Sequence, residues 1–334
     1  MNVEPDLSLA SWYDADRLFR VAREALVRVE QPMALVSQLQ RSGGTLLNAL
    51  FDGHPELHAR PYELQFGDRW PALDLAKGAD EWFESLREGF VARSFEQGYW
   101  KQPGRHDAGD HPTLPFTIAP SFLERLFRLL CAEEPPGSQR QVLDRYLTAF
   151  FNAWIDCQGL REPRKRWVTA FAPRFGWGES RRRFFADYPD GRLIWSLRDP
   201  CGWYVSASTF APRYADIPVA IDLWRRNAEE ILAAKAERPR SVFVLTYDAL
   251  VRDPGQTMEA VAEWLGIEWS PILLEPTFNR LPTQPNSSFE MKGTGIHRES
   301  LERWRDVLAA ETAAAIEAAT ADLNAAVRAI ADAG

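Results

Sequence analysis

The residues with types and spacing best suited to chemistry are Arg41, Ser42, Gly43, Gly44 and Thr45. They follow an apolar run, Met33 to Leu39, and open a run whose apolar positions Leu46, Leu47, Leu50 and Phe51 share one helical face. Strand, small-residue turn and helix start is an arrangement with which α/β proteins bind phosphate. Glycines let the backbone close on the anion, and the free N–H groups of the first helical turn point at it. Arg41 adds a forked guanidinium that suits phosphate or sulfate oxygens. A glycine-rich turn with a surface arginine has the same local pattern, so the loop does not decide the matter alone.

A second group begins at Arg198, at the end of another apolar run. Asp199 can cap the helix that follows, and Pro200 fits its first position. Ser206 then falls about two turns down that helix. An arginine and a hydroxyl converging beside a strand end can clamp a second anion. An ion pair of Arg198 with Asp199 and a helix-surface hydroxyl at Ser206 are the plain structural alternatives.

These groups need a scaffold that gathers strand ends. Strands are expected at 33–39, 57–62, 166–171, 192–197 and 241–246, separated by helix-length segments. That order implies βαβ crossovers and a mainly parallel five-stranded sheet covered on both faces, a three-layer α/β domain of P-loop type. Ligands of such sheets bind outside the carboxyl ends of the strands, where the loop and Arg198 both lie. Residues 11–31 read as a lead-in amphipathic helix and 45–52 as the helix after the loop. The stretch 65–160 has aromatics, Pro and Gly clusters and helical periods around 121–131 and 141–156. It reads as an α-helical, acceptor-binding insertion in a single domain of residues 1–334. The Ala-rich segment 299–333 reads as a terminal helix whose role is packing; a homodimer contact through it stays open.

Composition narrows the function. The chain has 334 residues, 46% hydrophobic and 26% charged, enough for one large core. Its net charge of −8 speaks against a general nucleic-acid binder, so an anionic ligand must be held by local positive charge. The three cysteines, Cys131, Cys157 and Cys201, form neither a disulfide framework nor a zinc spacing, and no metal site is expected. An acidic N-terminus without an apolar signal region and the lack of a run near the roughly 20 residues of a membrane span imply a cytoplasmic protein.

Together, Arg41-Ser42-Gly43-Gly44-Thr45-Leu46-Leu47, Arg198-Asp199-Pro200 with Ser206, and Val244-Leu245-Thr246-Tyr247-Asp248 resemble the sulfotransferases that use 3′-phosphoadenosine-5′-phosphosulfate, in their bacterial and protein-tyrosine-sulfotransferase-like branch. The resemblance covers residues 33–64, 166–210 and 241–305, with the motifs in family order. It implies that Arg41, Ser42, Gly43, Gly44, Thr45 and Leu46 hold the 5′-phosphosulfate. Arg198 and Ser206, eight positions apart, would take the 3′-phosphate, and Tyr247 would touch the nucleotide. Ser288 and Arg303, before Trp304, fit the family's C-terminal pattern, and Lys292 is a further 3′-phosphate ligand. Gly44 stands where most relatives have threonine and Gln38 where glycine is common; both read as tolerated variation.

The implied reaction is sulfuryl transfer, an in-line displacement governed by positioning and charge stabilisation, with Arg41 and the loop amides offsetting the charge that develops. The acceptor, a hydroxyl of a small molecule or glycan, needs a base. In relatives a glutamate follows a His-Pro pair; here His54-Pro55 leads to Glu63. A plain surface ion pair is the alternative role of Glu63. His58 is the rival base, although strand alternation puts it on the face opposite Glu63. Trp70, Trp82, Phe83, Tyr99 and Trp100 are candidates for an acceptor pocket, with core as the competing role. The basic runs Arg161–Arg166 and Arg181–Arg183 are solvated faces or steering charges. Two further functions remain open: a P-loop nucleotide kinase, against which the missing Gly-Lys-Ser/Thr speaks, and a non-catalytic nucleotide-binding scaffold.

Overall fold

The computed structural model describes residues 19, 23–66, 69–87, 89, 118–154, 157–287, 289 and 293–332. Its sheet contains β1 (Met33–Gln38), β2 (Leu57–Glu63), β3 (Trp167–Phe171), β4 (Arg192–Leu197) and β5 (Val242–Thr246). The order is β2-β3-β1-β4-β5 and every pairing is parallel. Each strand lies within one residue of its expected bounds at either end.

Side-chain alternation makes two cores, one on each face. Met33, Leu35, Trp195 and Val244 enter one; Ala34, Val36, Ile194 and Phe243 enter the other. Helices α1 (Gly44–Phe51), α2 (Ala79–Leu86), α3 (Pro120–Glu133), α4 (Gln139–Ala153), α5 (Gly178–Asp187) and α6 (Pro200–Phe210) are followed by five more. These are α7 (Ile217–Glu237), α8 (Tyr247–Arg252), α9 (Pro254–Leu265), α10 (Trp304–Val307) and α11 (Ala310–Asp332). Leu47 and Leu50 of α1, Leu250 of α8, and Met258 and Val261 of α9 cover the second face. The three-layer α/β fold is therefore observed.

The region expected as an insertion shares a core with the sheet. Phe83 of α2, Phe127 of α3, and Tyr146 and Phe150 of α4 join Met33 and Leu35 in the first core. The helices thus form a layer against the sheet. The lead-in differs from its expectation. Residues 19, 23 and 24 are helical, but Leu26–Glu30 are not. Side chains of α4 take their backbone groups instead: Val27 N–H donates to Asn152 Oδ1 at 3.1 Å, and Val29 N–H to Thr148 Oγ1 at 3.0 Å. The terminal helix is also interrupted. Arg298–Ser300 form one short turn, α10 follows, and only α11 is long. Ala313 and Ile316 of α11 pack on Cys201 of α6.

The connections after β1 and β4, neighbours at the sheet centre, lead in opposite directions, to β2 and to β5. This is the switch point at which an open parallel sheet leaves a crevice above its carboxyl edge. A hairpin not expected from the sequence, β6 (Thr277–Phe278) with β7 (Leu281–Pro282), stands beside it. Among the described residues no helix is long and apolar enough to cross a membrane, and no cluster of three or more His, Cys, Asp or Glu could hold a metal ion.

Candidate active site

A cavity of about 410 Å³ opens at the switch point. Its floor is the turn from β1 into α1. Arg41 (φ 75°) and Gly43 (φ 92°) adopt left-handed conformations that wrap the backbone around the strand end. Glycine is required at 43 twice over: its φ is positive, and a Cβ there would overlap Cδ2 of Tyr247. Not every loop amide is available. Ser42 N–H closes the turn onto Leu39 O at 3.2 Å, and Ser42 O accepts from Ser196 Oγ at 2.6 Å. Ser42 is buried and does not reach the cavity surface. Gly44 N–H donates to Gln38 Oε1. Among the described residues the N–H groups of Gly43, Thr45 and Leu46 have no acceptor. Three amides, rather than the whole run from Ser42 to Leu46, are thus open toward a ligand.

Four further side chains converge on this floor. Arg41 Nε donates to Ser206 Oγ at 3.4 Å, its NH2 to Asn286 O at 3.2 Å, and its guanidinium lies 5.1 Å from the Phe210 ring centroid. Ser206 is buried in α6, whose start is built as expected: Asp199 Oδ1 accepts from Gly202 N–H at 3.0 Å, and Pro200 opens the helix. Arg198 stacks on Tyr247, with its guanidinium carbon 4.5 Å from the ring centroid. It donates to Arg41 O at 3.3 Å and Ser300 O at 3.0 Å, while the Tyr247 hydroxyl shares a 2.8 Å hydrogen bond with Ser300 Oγ. Among the described residues no carboxylate forms an ion pair with Arg198, so Asp199 is its neighbour but not its partner. Burial lowers the Arg198 pKa, which the neighbouring Tyr247, Asp248 and Asp199 partly offset. Arg303 and Trp304 line the same cavity, Arg303 over the Phe289 ring at 4.6 Å. Ser288 and Lys292 lie outside the described residues.

The far wall is formed by the end of β2, residues 276–278 and 283–287, and Phe289. Glu63, half-buried at the last position of β2, lines it. A register shift between Ala59 and Glu63, with Tyr62 at φ 60°, turns the strand end into the cavity. His58 does not line this cavity. It is 2% exposed, 5.3 Å from the Phe151 ring, and borders a separate space of about 20 Å³. Burial, helped by the Lys165 charge, pushes its pKa down to about 3. Asp52 fastens the β6–β7 hairpin, accepting from Thr277 Oγ1 and Arg280 N–H, each at 2.7 Å, while burial raises its pKa. Asn286 extends that wall to the loop by donating to Thr45 Oγ1 at 3.3 Å.

Three of the aromatic candidates and the basic runs take the plainer of their expected roles. Trp70, Trp82 and Phe83 are core residues and do not line the cavity; Tyr99 and Trp100 lie outside the described residues. Of the described part of 65–160, only Gln65 reaches the cavity. The basic runs are also spent locally. Arg181 pairs with Glu230 and Glu237, Arg182 and Arg183 with Glu179, and Arg166 with Glu56. Nothing in the sequence pattern marks the wall of residues 276–278 and 283–287, whereas Gln38 was visible as a departure whose use was not.

A strand–turn–helix loop at the switch point of a parallel sheet, flanked by two arginines, is a P-loop-like arrangement in an α/β fold. Residues 32–271 match the Sulfotransferase family, and the chain belongs to that family. It is similar to the sulfotransferase domain from the Synechococcus PCC 7002 olefin synthase, at 20% identity over 88% of this chain and 96% of that one, with a TM-score of 0.45. It is also similar to a sulfotransferase from Alicyclobacillus acidocaldarius, at 15% identity over 89% and 96%, with a TM-score of 0.44. A retinol dehydratase in complex with androsterone and the inactive cofactor PAP aligns at 15% identity over 91% and 85%, with a TM-score of 0.37. No curated protein matches the chain.

Proposed function

We propose that the protein transfers a sulfuryl group from 3′-phosphoadenosine-5′-phosphosulfate to the hydroxyl of a small-molecule or glycan acceptor. The product nucleotide is 3′-phosphoadenosine-5′-phosphate. The observation that carries this reading is the meeting, in one cavity, of open loop amides, of Arg41, Arg198 and Arg303, and of the Glu63 carboxylate. The amides of Gly43, Thr45 and Leu46 and the charge of Arg41 suit the 5′-phosphosulfate. Arg198, stacked on Tyr247 and without a carboxylate partner among the described residues, suits the 3′-phosphate together with Ser206 and Arg303.

The chemistry asks little covalently of the protein. The bond from sulfur to the acceptor oxygen forms as the bond from sulfur to the bridging phosphate oxygen breaks. The acceptor proton passes to the Glu63 carboxylate, and the leaving phosphate takes the displaced electron pair. Arg41 and the open amides stabilise the charge that gathers on the phosphate oxygens.

The test is calorimetric titration of the metal-free protein with 3′-phosphoadenosine-5′-phosphate, with ATP and AMP as comparators. The expected result is metal-independent binding of the bisphosphate that weakens at least about 30-fold in Arg198→Ala, the size of a lost charge-assisted contact. Absence of binding, or a preference for Mg-ATP, would overturn the proposal and favour a kinase. Binding without transfer to any acceptor would leave a nucleotide-binding scaffold.

A further inference from the structure

Gln38 and Gly44 are coupled. Gln38 ends β1, is 4% exposed, and borders the cavity beneath the first turn of α1. Its Oε1 accepts the Gly44 N–H. A Cβ on residue 44 would stand 2.6 Å from Gln38 Cδ and 2.7 Å from Nε2, closer than side chains approach without contact being relieved. The glutamine side chain therefore occupies the space that any side chain at 44 would use, and glycine at 44 is its counterpart.

The hydrogen bond also orients the amide. With Oε1 held by Gly44, Nε2 is the remaining polar end, and it has no acceptor among the described residues. It is not one of the polar atoms sealed from solvent without a partner, so it opens to the cavity. Gln38 lines the same cavity as Thr45 and Leu46, whose amides are open, and its Nε2 has two hydrogens to give with no acceptor among the described residues. A carboxamide pinned in this way is a neutral donor held in place before a ligand arrives, at little further loss of side-chain freedom.

We propose that Gln38 is a ligand-positioning residue whose Nε2 donates to a non-bridging oxygen of the 5′-phosphosulfate, in the place a hydroxyl side chain at 44 would hold. The proposal rests on the function proposed above. It makes the two departures at 38 and 44 one device: the amide supplies the donor, and the glycine leaves room for it.

The test compares 3′-phosphoadenosine-5′-phosphate with adenosine 3′-monophosphate, which lacks the 5′ group, by calorimetry. Gln38→Glu keeps an oxygen for the Gly44 N–H but removes the donor. The expected result is a loss of at least about ten-fold in affinity for the bisphosphate, with less than about two-fold change for the monophosphate. Unchanged bisphosphate affinity, or an equal fall for both ligands, would overturn the proposal; the second outcome marks a merely structural role. Should Gln38→Glu not fold, the pair Gly44→Thr and Gln38→Gly/Gly44→Thr decides. The single variant is expected to lose bisphosphate affinity through the clash, and the double variant to regain it through the new hydroxyl; equal affinities refute the coupling. If the unaltered protein binds neither nucleotide, the sulfotransferase reading fails with it. If it binds and Gln38→Glu is silent, only the role of Gln38 fails.

Discussion

His58 makes the stability of this protein depend on pH in a way that can be worked from its surroundings. The imidazole is 2% exposed, packs on Phe151, and leaves Nε2 without a hydrogen-bond partner among the described residues. Burial first, and the Lys165 charge second, lower its pKa from 6.5 to about 3. The folded protein therefore resists protonation that the unfolded chain accepts. The contribution is intact above pH 6.5 and is lost as the pH falls. At pH 5 the unfolded chain gains about 1.5 pH units' worth of protonation free energy that the fold does not, about 2 kcal/mol. Asp144 acts in the opposite sense: burial raises its pKa to about 6, so the fold gains stability as this group protonates. The two effects are separated by difference. Urea unfolding of the protein and of His58→Leu, each at pH 7.5 and pH 5, cancels Asp144 and any constant repacking offset. The acid loss is expected to be about 2 kcal/mol smaller in His58→Leu. Equal acid losses in the two proteins would refute the buried neutral histidine. The same variant is expected to keep nucleotide binding and turnover, since His58 lies outside the cavity.

Glu63→Gln is expected to lower sulfuryl-transfer turnover by about 100-fold or more, with bisphosphate affinity within a few-fold, measured by product formation and calorimetry; parallel losses would point to a binding role instead. Gly43→Ala forces a Cβ into Tyr247 at a positive φ and is expected to cost about 1–3 kcal/mol in urea unfolding and to weaken nucleotide binding. Asp52→Ala removes the acceptor of both Thr277 and Arg280. It is expected to raise the proteolytic susceptibility of residues 276–289 more than that of the sheet, and uniform protection would count against its anchoring role.

Much of the architecture was legible in local sequence because local forces made it. Strands buried on both faces write near-continuous apolar runs, so β1, β3, β4 and β5 were readable to within a residue. Asp199 and Pro200 announced the start of α6 by capping chemistry that acts over a few residues. The lead-in failed for the opposite reason. Leu26–Glu30 carry a helical pattern, but Asn152 and Thr148, more than a hundred positions away, offer their backbone better partners.

The candidate site divides along the same line. The types and order of Arg41, Gly43, Thr45, Arg198, Ser206, Tyr247 and Glu63 are read directly from the sequence, where they suggested an anion site with a base nearby. Their availability was a tertiary matter. Whether an amide is open depends on what competes for it, and only the fold shows Leu39 taking the amide of Ser42 and Gln38 taking that of Gly44. Whether a base can reach a ligand depends on which cavity it borders; a register shift sends Glu63 into the large one and leaves His58 in the core. The opposite wall, residues 276–278 and 283–287, has no periodicity to announce it, because irregular backbone is placed by distant anchors such as Asp52 and Thr45. Hydrogen-bond competition and cavity membership are properties of groups brought together from far along the chain, and no local pattern encodes them.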